Sequence, residues 1–396
     1  VVALDALNPF MPGAGMRPPE LVGRDADIES IGRIIARTKL KLMNQGVIFS
    51  GLRGMGKTVL LLSLQDLAAR QGMVTARMEA TGNAETDYDE LFNEIALAAV
   101  NVRSMALREK LSEVMSRIDS VEFSFLGIGA NVRLSDEERI RTNPFRLEAI
   151  VRRLSEELAK ENSGLFLFID ELQEMASKPL GALVALQHKM GQDGLPFYII
   201  GAGLPNLPGT LTKSRSYAER LFSYKRIGQL SDEDTADGFQ KPAQRMGRPF
   251  DDEAISRLVE ISHGYPYFIQ AYGRAAWDAS VSNPTGLQAV LEGEPIARAE
   301  LDEGLYTSRW QRAKESGRRY LAAMARISED DPCDSARVAE AMGKKPKEVS
   351  MVRESLIQLG LIYQPEHGKV AYTIPGMGEY ILRAVPATQQ TYDGRW

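Results

Sequence analysis

The chain has 396 residues, enough for two or three ordinary domains. It is 44% hydrophobic and 26% charged, which excludes a disordered tail, a collagen-like chain and a disulfide-stapled miniprotein. The net charge of −5 argues against coating nucleic acid by bulk charge, though not against a local basic patch.

Cys333 is the single cysteine, so no internal disulfide can form, and a lone thiol fits a reducing cytoplasm. The longest apolar runs, such as Leu165–Ile169, fall far short of the ~20 residues of a membrane helix. The opening residues do not read as a signal peptide.

In chain order, residues 1–20 are rich in proline and glycine and read as an extended lead-in. Ile28, Ile31, Ile34 and Ile35 then recur at helical spacing behind Asp25. Gly46–Ser50 reads as a buried strand, Lys57–Ala69 as a helix and Val74–Glu79 as a second strand. A long helix is expected over about 87–118, a hairpin over 121–134 and a helix over Pro144–Glu161. Strands Leu165–Asp170 and Pro196–Gly201 complete an alternating order that implies a parallel sheet covered by helices.

From about Ser231 the pattern becomes helical, over 231–246, 251–263 and onward from Pro266. A last unit follows, with helices at about 316–327, 335–342 and 346–359 and short strands at 361–364 and 369–374.

Two motifs carry chemistry. Gly51-Leu52-Arg53-Gly54-Met55-Gly56-Lys57-Thr58 fits G-x-x-x-x-G-K-[ST] between a strand and a helix. Its glycines let backbone N–H groups face phosphate oxygens; Lys57 can reach the outer phosphates and the Thr58 hydroxyl can coordinate Mg²⁺. The nucleotide-binding set is therefore Gly51, Gly54, Met55, Gly56, Lys57, Thr58 and Val59. The second motif ends the apolar strand 165–170 in Asp170-Glu171, and the carboxyl ends of strands in an open α/β sheet are where ligands bind. Asp170 is suited to hold Mg²⁺ through water, and Glu171 to polarise the attacking water.

The C-terminal unit adds a third feature. Val338, Met342, Val349, Val352, Leu356 and Leu359 are spaced to bury one face of two short helices, with Gly343 breaking the first. A wing-like hairpin follows at Leu361–Thr373. Residues 337–353 hold five basic residues against two acidic ones, a net +3. Lys344, Lys345, Lys347, Ser350 and Arg353 are the candidate contacts to duplex DNA. A winged helix used for protein contact is the competing reading.

The order P-loop, second strand, Asp-Glu strand, further strand and helical lid resembles the AAA+ ATPase superfamily. Within it the chain is similar to the initiator-type branch, whose lid is followed by a winged helix, and to the related STAND signalling ATPases. Leu21-Val22-Gly23-Arg24 resembles the segment beside the adenine, which brings in Val22, and Gly264-Tyr265-Pro266 resembles the STAND-type Gly-x-Pro lid motif, which brings in Pro266. Gly201–Pro208 and Tyr217–Phe222 resemble stretches of bacterial ATPases of this type.

The resemblance implies an α/β P-loop core over 21–228 with a hairpin insertion at 119–135, a helical lid over 229–300 and a winged helix over 301–396. It implies ATP or ADP and Mg²⁺ as ligands, Asn206 as the polar sensor after the fourth strand, and Arg220 as an arginine finger acting on a neighbouring copy. Arg215 and Arg226 are the rivals of Arg220. Two functions follow from it: an ATPase whose nucleotide state sets the engagement of duplex DNA, or a slow STAND-like switch whose winged helix contacts protein.

Overall fold

The computed structural model describes residues 7–13, 15–102, 104–113 and 136–385, with side chains given from residue 143 in the last segment. The expected hairpin at 121–134 lies outside the described residues, as do residues 386–396.

Five parallel strands form the central sheet: β1 (Gly46–Ser50), β2 (Val74–Glu79), β3 (Leu165–Asp170), β4 (Phe197–Gly203) and β5 (Phe222–Arg226), in the order β2-β3-β4-β1-β5. Every residue of β1, β3 and β4 is buried, because helices cover both faces. Alternation along β3 splits its apolar side chains between two cores. Phe166 and Phe168 pack with Ile31 and Ile35 of α1 (Asp25–Lys39) and Leu60, Leu61 and Leu64 of α2 (Lys57–Arg70). Leu165, Leu167 and Ile169 face α3 (Ala84–Val100), α4 (Asp136–Lys160) and α5 (Ser177–Gln192).

The registers Ser50↔Gly203 and Glu79↔Asp170 bring the carboxyl ends of the strands level along one edge of the sheet. That edge carries the P-loop between β1 and α2 and the Asp170-Glu171 pair after β3.

Several expectations are corrected. The helix read over 87–118 begins earlier, at Ala84, where the Asn83 side chain accepts from the N–H groups of Glu85 and Thr86. It ends at Val100. The helix read from Pro144 begins at Asp136 and carries Pro144 inside it. β5 was not expected as a strand; its sequence Phe-Ser-Tyr-Lys-Arg is half polar because it is the sheet edge beside β1.

Four helices follow: α8 (Asp232–Arg245), α9 (Asp252–Ser262), α10 (Pro266–Ala279) and α11 (Leu287–Leu301), after the short α6 (Leu207–Ser214) and α7 (Ala218–Leu221). Ser231 and Asp251 cap α8 and α9 with side-chain oxygens. The described residues of the lead-in have no regular structure, but Phe10 is buried against Phe239, Phe250 and Trp277 of this helical group.

A π-turn at Asp302–Thr307 leads into α12 (Ser308–Arg312) and then α13 (Glu315–Ser328), β6 (Cys333–Asp334), α14 (Ser335–Ala341), α15 (Ser350–Gln358), β7 (Ile362–Tyr363), β8 (Lys369–Tyr372) and α16 (Met377–Ala384). The three strands pair antiparallel in the order β6-β8-β7. Val338, Met342, Val349 and Leu356 are buried, as their spacing required. α15 starts at Ser350 rather than at 346, so Lys347 sits in the turn before the helix and not on its face. Neither β6 nor α16 was expected as an element. Among the described residues no helix is long and apolar enough to cross a membrane.

Candidate active site

The P-loop is shaped by its glycines. Gly54 and Gly56 have φ of +79° and +81°, backbone that favours glycine. Gly54 has a second constraint, since a Cβ there would lie 2.1 Å from Tyr265 Oη. That hydroxyl donates to the carbonyl of Arg53 and so ties the loop to the start of α10.

A cavity of about 340 Å³ opens over the loop. Gly54, Met55, Gly56, Lys57, Thr58 and Val59 line it, together with Val22, Pro266 and Glu171. Gly51 is not among the lining residues. Its N–H donates to Gly203, and a Cβ would lie 2.3 Å from the carbonyl oxygen of Ile227, so its glycine is required by packing. The lead-in supplies Met11, Gly13, Gly15 and Met16 to the opposite wall.

Lys57 is 6% exposed, and its Nζ donates to the Leu52 carbonyl at 2.8 Å. Burial pushes its pKa below the ordinary lysine value, against the pull of Glu171 and Asp170. Thr58 Oγ1 donates to Asp170 Oδ2 at 2.5 Å, so the two residues read as Mg²⁺ holders are side by side. Glu171 adopts a left-handed φ of +46° and is engaged at both oxygens. Arg53 Nη1 donates to Oε1 at 3.2 Å and Gln173 Nε2 donates to Oε2 at 2.6 Å.

Gln173 also accepts the N–H of Leu204 at 3.0 Å, so it joins the end of β4 to Glu171. That bridge explains Gly203, where a Cβ would lie 2.2 Å from Gln173 Oε1. Asn206 stands before α6 and is not among the cavity-lining residues; its buried Oδ1 has no hydrogen-bond partner. Arg220 is exposed on α7, as are Arg215 and Arg226, and none of the three lines this cavity.

Three residues matter here that the sequence left unassigned. Arg53 and Gln173 hold Glu171. Arg24, 8% exposed, donates from Nη2 to the carbonyls of Met55 at 3.2 Å and Gly228 at 2.9 Å. Arg53 and Gln173 had only their polarity within or beside the two motifs as a signal, and Arg24 only its place at the end of the Leu21–Arg24 segment.

The fourth wall comes from the C-terminal part of the chain. Leu305, Arg309 and Ile374 line the cavity, and the N–H of Arg53 donates to the Thr373 carbonyl at 3.2 Å. Gly360 abuts the Arg53 guanidinium, where a Cβ would lie 2.9 Å from Nη2.

The expected DNA contacts lie elsewhere on this unit. Lys345 and Lys347 are exposed in the turn between α14 and α15, and Lys344 is half-buried there. Ser350 Oγ donates to the Lys347 carbonyl. Arg353 is half-buried and donates to Ser335 Oγ at 3.3 Å, which turns it toward α14.

A glycine-lined loop behind a parallel strand, with a carboxylate pair at the end of a neighbouring strand, defines a P-loop nucleotide-hydrolysing core. Residues 20–200 match the family model described as an AAA ATPase domain, and this part of the chain is an AAA+ P-loop ATPase domain. Residues 303–381 match a domain of unknown function (DUF8462). No curated protein matches the chain.

Among solved structures, the Thermotoga maritima RuvB Holliday junction branch migration motor is 17% identical with a TM-score of 0.45, over 94% of this chain and 100% of that one. The Aeropyrum pernix Orc1 protein in complex with DNA is 14% identical with a TM-score of 0.44, over 94% and 96%. Cdc6p from Pyrobaculum aerophilum is 14% identical with a TM-score of 0.38, over 96% of each. At such scores these likenesses say nothing about what this chain binds.

The residues fit a nucleotide. The cavity lining holds the basic Arg24, Arg53, Lys57 and Arg309 against the acidic Glu20 and Glu171. Lys57 has two N–H donors beyond the one given to Leu52.

Proposed function

We propose that the chain is a nucleotide-controlled switch of the initiator-like kind, with a core over 21–228, a lid over 229–300 and a winged helix from 301. ATP would occupy the cavity between P-loop, lid and lead-in, with Val22 and Pro266 beside the base. Thr58 and Asp170 would hold Mg²⁺, which supplies charge neutralisation at the phosphates. Glu171 would polarise water once its carboxylate is released from Arg53. The helix order α13-α14-α15 with a three-stranded antiparallel sheet supports the winged-helix reading. The lone Cys333 supports a cytoplasmic setting.

One observation carries the coupling. Arg53 holds Glu171 with its side chain while its backbone N–H bonds Thr373 of the C-terminal unit. A shift of that unit therefore moves the residue that restrains the water-polarising carboxylate. The partner we assign to the unit is duplex DNA, met by Lys344, Lys345 and Lys347. The second reading is a STAND-like switch with a protein partner, favoured by the inward turn of Arg353 and the seating of the unit on the P-loop.

The test is steady-state ATP turnover of the purified protein with and without duplex DNA at several salt concentrations. DNA stimulation that weakens with salt, and that Glu171→Gln abolishes, supports the first reading. DNA affinity unchanged in Lys344→Ala/Lys345→Ala/Lys347→Ala rejects that surface. Slow turnover indifferent to DNA selects the second.

A further inference from the structure

Arg309 is the one basic residue of the cavity wall with no hydrogen-bond or ion-pair partner among the described residues. Arg24 is satisfied by two carbonyls, Lys57 by Leu52 and Arg53 by Glu171. Arg309 Nε and Nη1 are buried and donate to nothing. A buried guanidinium without acceptors is costly, and charge makes it more so. Its neighbours add to the cost, because Arg53 and Arg312 repel it while Glu171 and the Tyr265 hydroxyl lie close enough to act on it. Burial and these two arginines push its pKa below the ordinary arginine value. The residue sits directly after the π-turn Asp302–Thr307, a distortion that often marks functional sites in helices.

We infer that Arg309 binds the terminal phosphate of the nucleoside triphosphate, delivered to the site from the segment that leads into the C-terminal unit. The assignment rests on the cavity being the ATP site, as proposed above. Its place near Glu171 and Arg53 sets it at the end of the cavity where the third phosphate lies, not the first. An anion there would offset the repulsion from Arg53, and a turn of the side chain that brings Nε and Nη1 to the cavity surface would give it both unpartnered N–H groups. Arg309 would then report the triphosphate state to α12 and α13 through the backbone, independently of the Arg53–Thr373 bond. No motif marks it, since the arginine stands outside the P-loop and the Asp-Glu pair and beside Trp310, a buried packing residue.

The test compares ATP and ADP affinity, each with Mg²⁺, by calorimetry on the full chain and on Arg309→Ala, Arg309→Lys and Arg309→Met. Loss of two charge-assisted hydrogen bonds predicts an ATP affinity about tenfold or more weaker in Arg309→Ala, with ADP changed by less than about threefold. Arg309→Lys recovers part of the ATP affinity. Without nucleotide, Arg309→Met melts at or above the wild-type temperature, because a buried cation without acceptors has been removed; a merely structural arginine would lower it.

Equal weakening of ATP and ADP, or no weakening of either, overturns the inference while leaving the ATP site intact. A wild-type chain that binds neither nucleotide overturns the inference and the ATP-site reading together.

Discussion

Replacing Arg24 by alanine tests whether the P-loop is held from behind. The side chain reaches from the start of α1 to the carbonyls of Met55, inside the loop, and Gly228, after β5. Removing it leaves the buried Met55 carbonyl and the half-buried Gly228 carbonyl without this donor, at up to about 1–3 kcal/mol each. Relief of the guanidinium's own burial, which lowers its pKa, returns part of that. A net loss of about 2–4 kcal/mol follows. Unfolding entropy of about 2.1 cal/mol/K per residue over the chain's length gives roughly 0.8 kcal/mol per degree, so the melting temperature falls by about 2–5 °C.

Because Met55 belongs to the loop, ATP affinity falls as well, and Arg24→Lys, able to reach one carbonyl at a time, falls about halfway. Thermal melts with and without ATP read both effects, with Arg33→Ala as the exposed control. An Arg24→Ala protein that melts and binds like wild type would refute the clamp.

Gly54→Ala places a methyl against Tyr265 Oη on backbone of positive φ, so both stability and ATP affinity drop by about 1–3 kcal/mol; adding Tyr265→Ala restores part of the loss, and a double variant no better than the single one rejects the clash. Lys57 carries a lowered pKa in the folded chain, so between that value and the ordinary one the unfolded chain binds the extra proton. The nucleotide-free wild type should therefore gain stability relative to Lys57→Met as pH rises from the lowered value toward the usual lysine range, and a pH-independent difference in melting temperature would remove the burial argument. Arg220→Ala should slow turnover without weakening ATP binding; if Arg220 acts on a neighbour, mixing it with Glu171→Gln restores part of the rate, whereas an unchanged rate in Arg220→Ala alone makes it a surface residue.

The core of the sheet was legible because β1, β3 and β4 are short, mostly apolar and buried along their whole length, and the P-loop and Asp170-Glu171 follow from residue type and spacing. β5 was not, because an edge strand beside β1 needs only one buried end, and Phe222 supplies it. The ends of the long helices shifted where a cap decided them: Asn83 starts α3 earlier than its apolar pattern does.

The residues that hold Glu171 were illegible for a different reason. Arg53 occupies a variable position of the loop motif, and Gln173 acts through a contact with Leu204 that no local pattern encodes. Arg309 reaches the cavity from more than two hundred positions downstream of the loop, so only tertiary structure brings it there. The DNA-contact set was read from charge alone, and Arg353 shows how charge can be spent on an internal bond.

The buried Phe10 bears on how the protein comes into being. The lead-in finds its seat only after α10 has been made, since Asn8 bonds the Arg274 carbonyl across a separation of 266 residues. The Met11 N–H donates to Gln270 of the same helix, so this part of the cavity wall also waits for α10. A growing chain thus carries a finished P-loop and an unfinished cavity. The site closes only when residues as far apart as Met11 and Ile374 are both in place, which ties competence for nucleotide to the docking of the lead-in and the C-terminal unit.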